Sequence, residues 1–319
     1  MKSYKAQYEG GDRQGARNYL DQGLQLLKRN SNDTLQGHFY KEYCNWYFYG
    51  GQLDTALMMQ RKTVFHYERG FGFSPPTAEA YHNLGYLSKL VLGQVDSALY
   101  YYGRALEIYE RSDKPLDVVD EYRNIGIAQI GQKDYGAARN AYKRALAVIR
   151  SIPESEIEAL SRDRLIHYVR TSSWLYLNIS DLELVMDDMR QARVYLSYSQ
   201  DILEEYVPRL PELEKEKQEN RARVYQYLGL WEQGIEVYKE ILRDTPSSDR
   251  NVTSRMLALI ADMYYDNRQF DNAILYGERL REYEEQHAIA SSPPLRRNQF
   301  RKAVPCCKGR LQKCFITCV

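Results

Sequence analysis

No run of about 18 consecutive apolar residues occurs in this 319-residue sequence, which excludes a membrane-spanning helix. Residues 1–14 lack the apolar core of a signal peptide, so a cytoplasmic chain is expected; a segment upstream could supply one and make it periplasmic. Cysteine is almost missing from the first 290 residues, and Cys44 alone cannot build a disulfide framework. The same residues are short of basic charge. They hold 37 Lys and Arg against 43 Asp and Glu, a net of −6, which argues against nucleic-acid binding through a basic face.

Chemistry-bearing patterns are also scarce. The five histidines (His38, His66, His82, His167, His287) lie at least 16 residues apart, and no H-E-x-x-H, G-x-S-x-G, phosphate-loop or G-x-G-x-x-G pattern occurs. Acidic pairs such as Asp187-Asp188 and Glu204-Glu205 read as solvated helix faces. The chain is therefore expected to be no enzyme and to need neither cofactor nor metal.

The last 29 residues lack acidic side chains altogether. From 291 to 319 there are seven basic residues and four of the five cysteines: Cys306, Cys307, Cys314 and Cys318. The adjacent first pair does not match the C-x2–4-C pairs of structural zinc sites. Palmitoylation beside the basic residues is another reading. The abrupt change after Ala290, with the Pro293-Pro294 break, reads more simply as a disordered tail, or as a translation product out of its ancestral frame. The whole-chain charge of +1 thus sums an acidic body and a basic appendage.

What the body does contain is a repeat. Seven turn-like segments end in a small residue: Ala16, Ala56, Ala98, Ala138, Ala192, Gly234 and Ala273, separated by 40, 42, 40, 54, 42 and 39 residues. Twelve or thirteen positions before six of them stands a second small residue: Cys44, Gly85, Gly126, Ser180, Ala222 and Ala261. Such a pair marks where two antiparallel helices cross closely, because a large side chain would hold the backbones apart. Aromatic and aliphatic residues recur around the pairs at helical spacing, as in Tyr122-x-x-Ile125-Gly126 with Ala138-x-x-x-Tyr142. All ten prolines fall between the expected helices or in the tail, consistent with the about 3 kcal/mol that an interior proline costs. Twenty-nine tyrosines point to interfaces that need bulk with a polar tip, and the run Tyr100-Tyr101-Tyr102 spans too much of one helix to be all core.

These units resemble the tetratricopeptide repeat, and the resemblance extends over residues 1 to about 285. Periods near 40 rather than 34 resemble the long-period variants of bacterial regulators and of kinesin light chains. The resemblance implies an all-α, right-handed α/α superhelical solenoid of about seven helix pairs over 1–290. The first repeat is incomplete, and an extra helical insert within 153–173 accounts for the 54-residue interval.

In such a solenoid the first helix of each pair lines the concave face. The residue two places before each first-helix small residue should point into the groove: Glu42, Asn83, Asn124, Asn178, Asn220 and Leu259. An amide can donate to and accept from an extended peptide whatever its sequence. The same asparagines could instead bond neighbouring helices. Flanking groove candidates are Asn45, His82, Tyr86, Arg123, Asp181, Arg223 and Tyr227. Family members that hold a carboxylate terminus pair such asparagines with basic residues one turn earlier. Here Glu79 and Asp120 reverse that charge, so that activity is not expected. The function implied is a non-catalytic scaffold binding a protein or peptide in its groove. The alternative is the sensory arm of a bacterial histidine kinase or transcription regulator without its output domain.

Overall fold

The computed structural model describes residues 13–27, 32–246 and 250–287; the tail at 291–319 lies outside them. The described residues form helices and no strand. They divide into two units, 1–114 and 115–289.

In the first unit, α1 (Arg13–Leu27) packs on α2 (Asp33–Tyr49), α2 pairs with α3 (Leu53–Phe71), and α4 (Pro75–Leu92) pairs with α5 (Val95–Arg111). In the second, α6 (Pro115–Gly131) pairs with α7 (Tyr135–Ser151). A short α8 (Glu154–Glu158) leads into α9 (Arg162–Val185), which pairs with α10 (Met189–Tyr206). A 3-10 turn, Pro211–Leu213, precedes the pairs α11 (Glu214–Tyr227) with α12 (Trp231–Asp244), and α13 (Arg250–Asp266) with α14 (Phe270–His287). The surplus residues of the long interval therefore make α8 and the start of α9, the longest helix at 24 residues.

The small residues lie at the helix crossings. Ala16, Ala56, Ala98, Ala138 and Ala192 are fully buried. Opposite Ala98, a Cβ added to Gly85 would stand 2.8 Å from the Tyr102 ring and 3.2 Å from the Ala98 carbonyl. One added to Gly126 would stand 2.2 Å from the Tyr142 ring. Ser180 uses its hydroxyl at the same place, donating to the Ala192 carbonyl at 2.8 Å. The prolines fit equally well: Pro75 and Pro115 open helices, where no amide hydrogen is needed.

The turn inside each hairpin repeats a backbone conformation. Five residues before the anchor the chain enters the left-handed region, at Gly51, Gly93, Lys133, Asp187, Gly229 and Arg268. Glycine takes that conformation freely, whereas a side chain costs roughly 1–2 kcal/mol there. Lys133→Gly is therefore expected to raise stability by about 1 kcal/mol, read as a higher urea midpoint at unchanged slope.

Tyrosine fills the core, with a polar partner for the tip of Tyr67 but none among the described residues for that of Tyr142. Tyr67 and Tyr142 are both 1% exposed, and Tyr67 shares a 2.8 Å bond with His38. Of the tyrosine run, Tyr102 is buried against Gly85, Tyr101 stacks on Tyr81, and Tyr100 is exposed.

Candidate functional site

Within each unit, side chains in equivalent slots link several successive first helices. The residue three before the small slot meets the residue six before it on the next first helix. Lys41 reaches Glu79 at 2.6 Å, and Arg255 reaches Glu219 at 2.6 Å. Between α6 and α9 the same slots bring Arg123 to Trp174, with the guanidinium 5.4 Å from the indole. An aromatic thus stands where the other steps place a charge. Arg170 approaches the same indole at 6.0 Å and donates to Glu216 at 2.8 Å. A guanidinium over an indole face gains about 0.5–1 kcal/mol at an exposed site. Trp174 still exposes 37% of its surface.

Two polar atoms near this aromatic, Arg123 Nε and Asn178 Oδ1, are buried without a partner among the described residues. Asn178 is one helical turn beyond Trp174, so both occupy the same face of α9. Arg123 itself donates only a long bond, 3.4 Å, to Asp120. That carboxylate lies 2.9 Å from His167 Nε2, which raises the imidazole's proton affinity.

The other expected groove residues divide. Asn124 is half-buried on α6, and in the first unit Asn45 and Asn83 are half-buried and Tyr86 exposed. His82 is half-buried with its ring 5.8 Å from Tyr102, within its own hairpin. Arg223 donates to both Asp181 oxygens at 2.8 and 2.9 Å, and the pairing raises the guanidinium's proton affinity further. Tyr227 and Ser180 share a 2.9 Å hydroxyl contact at the α9–α10 crossing. These four residues cross-link α9 to α11.

Asn220 corrects the expectation that its amide points into the groove. It is 1% exposed and donates to Ser199 Oγ at 2.6 Å. The cause is on α10: Ser199 is small enough for Asn220 to turn inward and carries the oxygen that receives it. Ser199 in turn donates to the Ser173 carbonyl at 3.0 Å, so the amide nitrogen joins a network through three helices, while Asn220 Oδ1 is buried without a partner among the described residues.

Trp174 was not among the expected site residues. Its signal was its slot, six before Ser180, which aligns it with Glu79 and Asp120 six before their own small residues.

Farther along the same unit, α13 carries two carboxyls one turn apart. Burial, then the charge of Asp266, pushes Asp262 up to about 6, and burial raises Asp266, which accepts from Gln226 at 3.0 Å. A carboxyl raised above its unfolded value of about 3.9 favours the fold most below that pH and loses the contribution as pH climbs through about 6. Asp262→Asn is expected to flatten the pH dependence of the urea midpoint between these values. After allowance for solvent screening, the gain above pH 7 is about 1 kcal/mol.

Among the described residues no helix is long and apolar enough to cross a membrane, and no cluster of ligating side chains could hold a metal. A tetratricopeptide-repeat family model matches residues 77–112. Among curated proteins no sequence matches. Solved structures do. Aspartyl phosphate phosphatase F from Bacillus subtilis is similar at 17% identity and a TM-score of 0.67, over 91% of this chain and 70% of that one. The apo form of RapI is similar at 14% and 0.65, over 89% and 96%. The Rap conjugation gene regulator of plasmid pLS20, solved in complex with a Phr peptide, is similar at 14% and 0.53, over 89% and 74%. At these identities the likeness is one of fold. With paired small residues buried at several hairpin crossings and a repeat model matched at α4 and α5, the fold is that of tetratricopeptide-type helical repeats.

Proposed function

We propose that the chain is a non-catalytic binding protein that takes an extended peptide, or an extended segment of a protein, on the first-helix face of its second unit. The observation that carries this reading is the Trp174 site. An exposed indole is flanked by two guanidiniums, and buried polar atoms of Arg123 and Asn178 stand unpartnered beside it. A buried polar atom left unbonded costs about 1–3 kcal/mol, which a ligand's backbone would recover. Asn124 and Asn178 supply amides that can bind backbone donors and acceptors alike. The peptide complex of a similarly folded Rap regulator supports the same class of ligand. In the first unit, Asn45, Asn83 and Tyr86 offer a comparable surface.

The test is selection from a displayed random-peptide library on the full chain and on Trp174→Ala/Asn178→Ala. The doubly substituted chain should keep its melting temperature and lose the enriched peptides by at least about tenfold, the equivalent of roughly 1.4 kcal/mol. Equal enrichment on both chains would move the binding face elsewhere.

A further inference from the structure

Lys89, in the last turn of α4, is half-buried and forms no ion pair or hydrogen bond with a described residue. Burial lowers the ammonium's proton affinity, and no carboxylate among the described residues stands near enough to restore it. A helix C-terminus favours a cation, but an exposed lysine would satisfy that equally. An enclosed charge without a counter-charge is unfavourable, because the water it gave up is not replaced. The side chains around it are unlike a core. Tyr86, three residues earlier on the same face of α4, is 44% exposed. Its ring stands 6.3 Å from that of Phe48 on α2. Asn45 lies three residues before Phe48, and Asn83 three before Tyr86. Both are half-buried, and neither amide is hydrogen-bonded to a described residue. Two adjoining first helices of the first unit thus carry one uncompensated ammonium, two aromatic rings and two unbonded amides.

We propose that this face of the first unit binds an acidic side chain of an extended peptide, with the carboxylate on Lys89 and the neighbouring side chain against Tyr86 and Phe48. The proposal rests on first-helix faces being the binding faces, and adds the charge of what the first unit takes. A lysine is a compact point charge, and one carboxylate balances it. A phosphate would bring close to two charges. The nearest equivalent cation on this face, Lys41, is already held by Glu79 at 2.6 Å, so the second charge would stay unpaired. A basic side chain would meet the ammonium with like charge in the same enclosed place. The amides of Asn45 and Asn83 can each donate to and accept from the peptide backbone, which fixes its path without choosing its sequence. Selectivity for the acidic residue then comes from Lys89.

The experiment follows the full chain by NMR with isotopic label at the lysine ε-carbons, the Lys89 signal being assigned by its loss in Lys89→Arg. Titration with acetyl-Ala-Glu-Phe-Ala-amide should shift that signal saturably. The glutamine counterpart should need at least about tenfold more peptide for the same shift. Giving the glutamine peptide a free carboxyl terminus should not restore the affinity. No shift with the glutamate peptide, equal midpoints for glutamate and glutamine, or a free terminus that substitutes for the acidic side chain would each overturn the proposal. The readout involves no residue of the second unit, so a failure of binding at Trp174 would leave it unchanged and is told apart from a failure here.

Discussion

Gly126→Leu is expected to destabilise the second unit by about 3 kcal/mol, among the largest effects of any single change in the chain. A Cβ at this position would already stand 2.2 Å from Cε1 and 2.7 Å from Cδ1 of Tyr142. Tyr142 cannot swing aside, since it is 1% exposed. The α6 and α7 backbones must therefore separate, or the ring must leave its rotamer. Leucine has better helix propensity than glycine by less than about 1 kcal/mol, so packing decides the sign. Urea unfolding of the substituted chain should show the loss. Adding Tyr142→Ala should return much of it, because the second change vacates the volume that the first one needs. A double variant as unstable as the sum of the two single ones would mean that the clash lies elsewhere.

Arg139→Ala carries the second large effect. Arg139 on α7 donates through Nε to Glu183 on α9 at 3.0 Å, and its Nη2 makes a shorter contact with the other carboxylate oxygen. Glu183 is 5% exposed, at the edge of a half-open cavity of about 230 Å³ lined by α7, α9 and α10. Removing the guanidinium leaves a carboxylate enclosed without its counter-charge, at an expected loss of about 3 kcal/mol. Replacing both partners, as Arg139→Met/Glu183→Leu, should cost far less, because no charge then remains to be buried. The comparison of single and double variants by urea midpoint separates this account from one in which Arg139 acts through its aliphatic stem. In that case the double variant would be no better than the single one.

These two positions also show what was legible in the sequence. Gly126 and Ala138 stood out because steric exclusion acts on residue size, and size is written directly in the residue type. The same held for the helix count and the proline positions. The Arg139–Glu183 pair was not legible: its members are 44 residues apart, and charges on a helix surface read alike whether solvated or enclosed. The left-handed turns were half legible, with Gly51, Gly93 and Gly229 visible and Lys133, Asp187 and Arg268 hidden behind ordinary residue types. For the site, the slot of the asparagines was legible and their direction was not. Asn178 and Asn220 share one slot, yet Asn220 turns inward because α10 offers Ser199. Trp174 does not stand out in the sequence because the repeat shows in its small residues, whereas this site's distinctive member is a large one. Its pairing with Arg123 follows only when slots on successive helices are compared.

The most direct test of binding at this face uses Trp174 as its own reporter. Trp46→Phe/Trp231→Phe leaves Trp174 as the only tryptophan in the full chain. Titration with a library-selected peptide should change the Trp174 emission saturably. The midpoint should shift to at least about tenfold higher peptide concentration when Asn178→Ala is added. A peptide that binds with the same affinity in both backgrounds while the Trp174 emission stays constant would contradict the assignment of this face as the binding site.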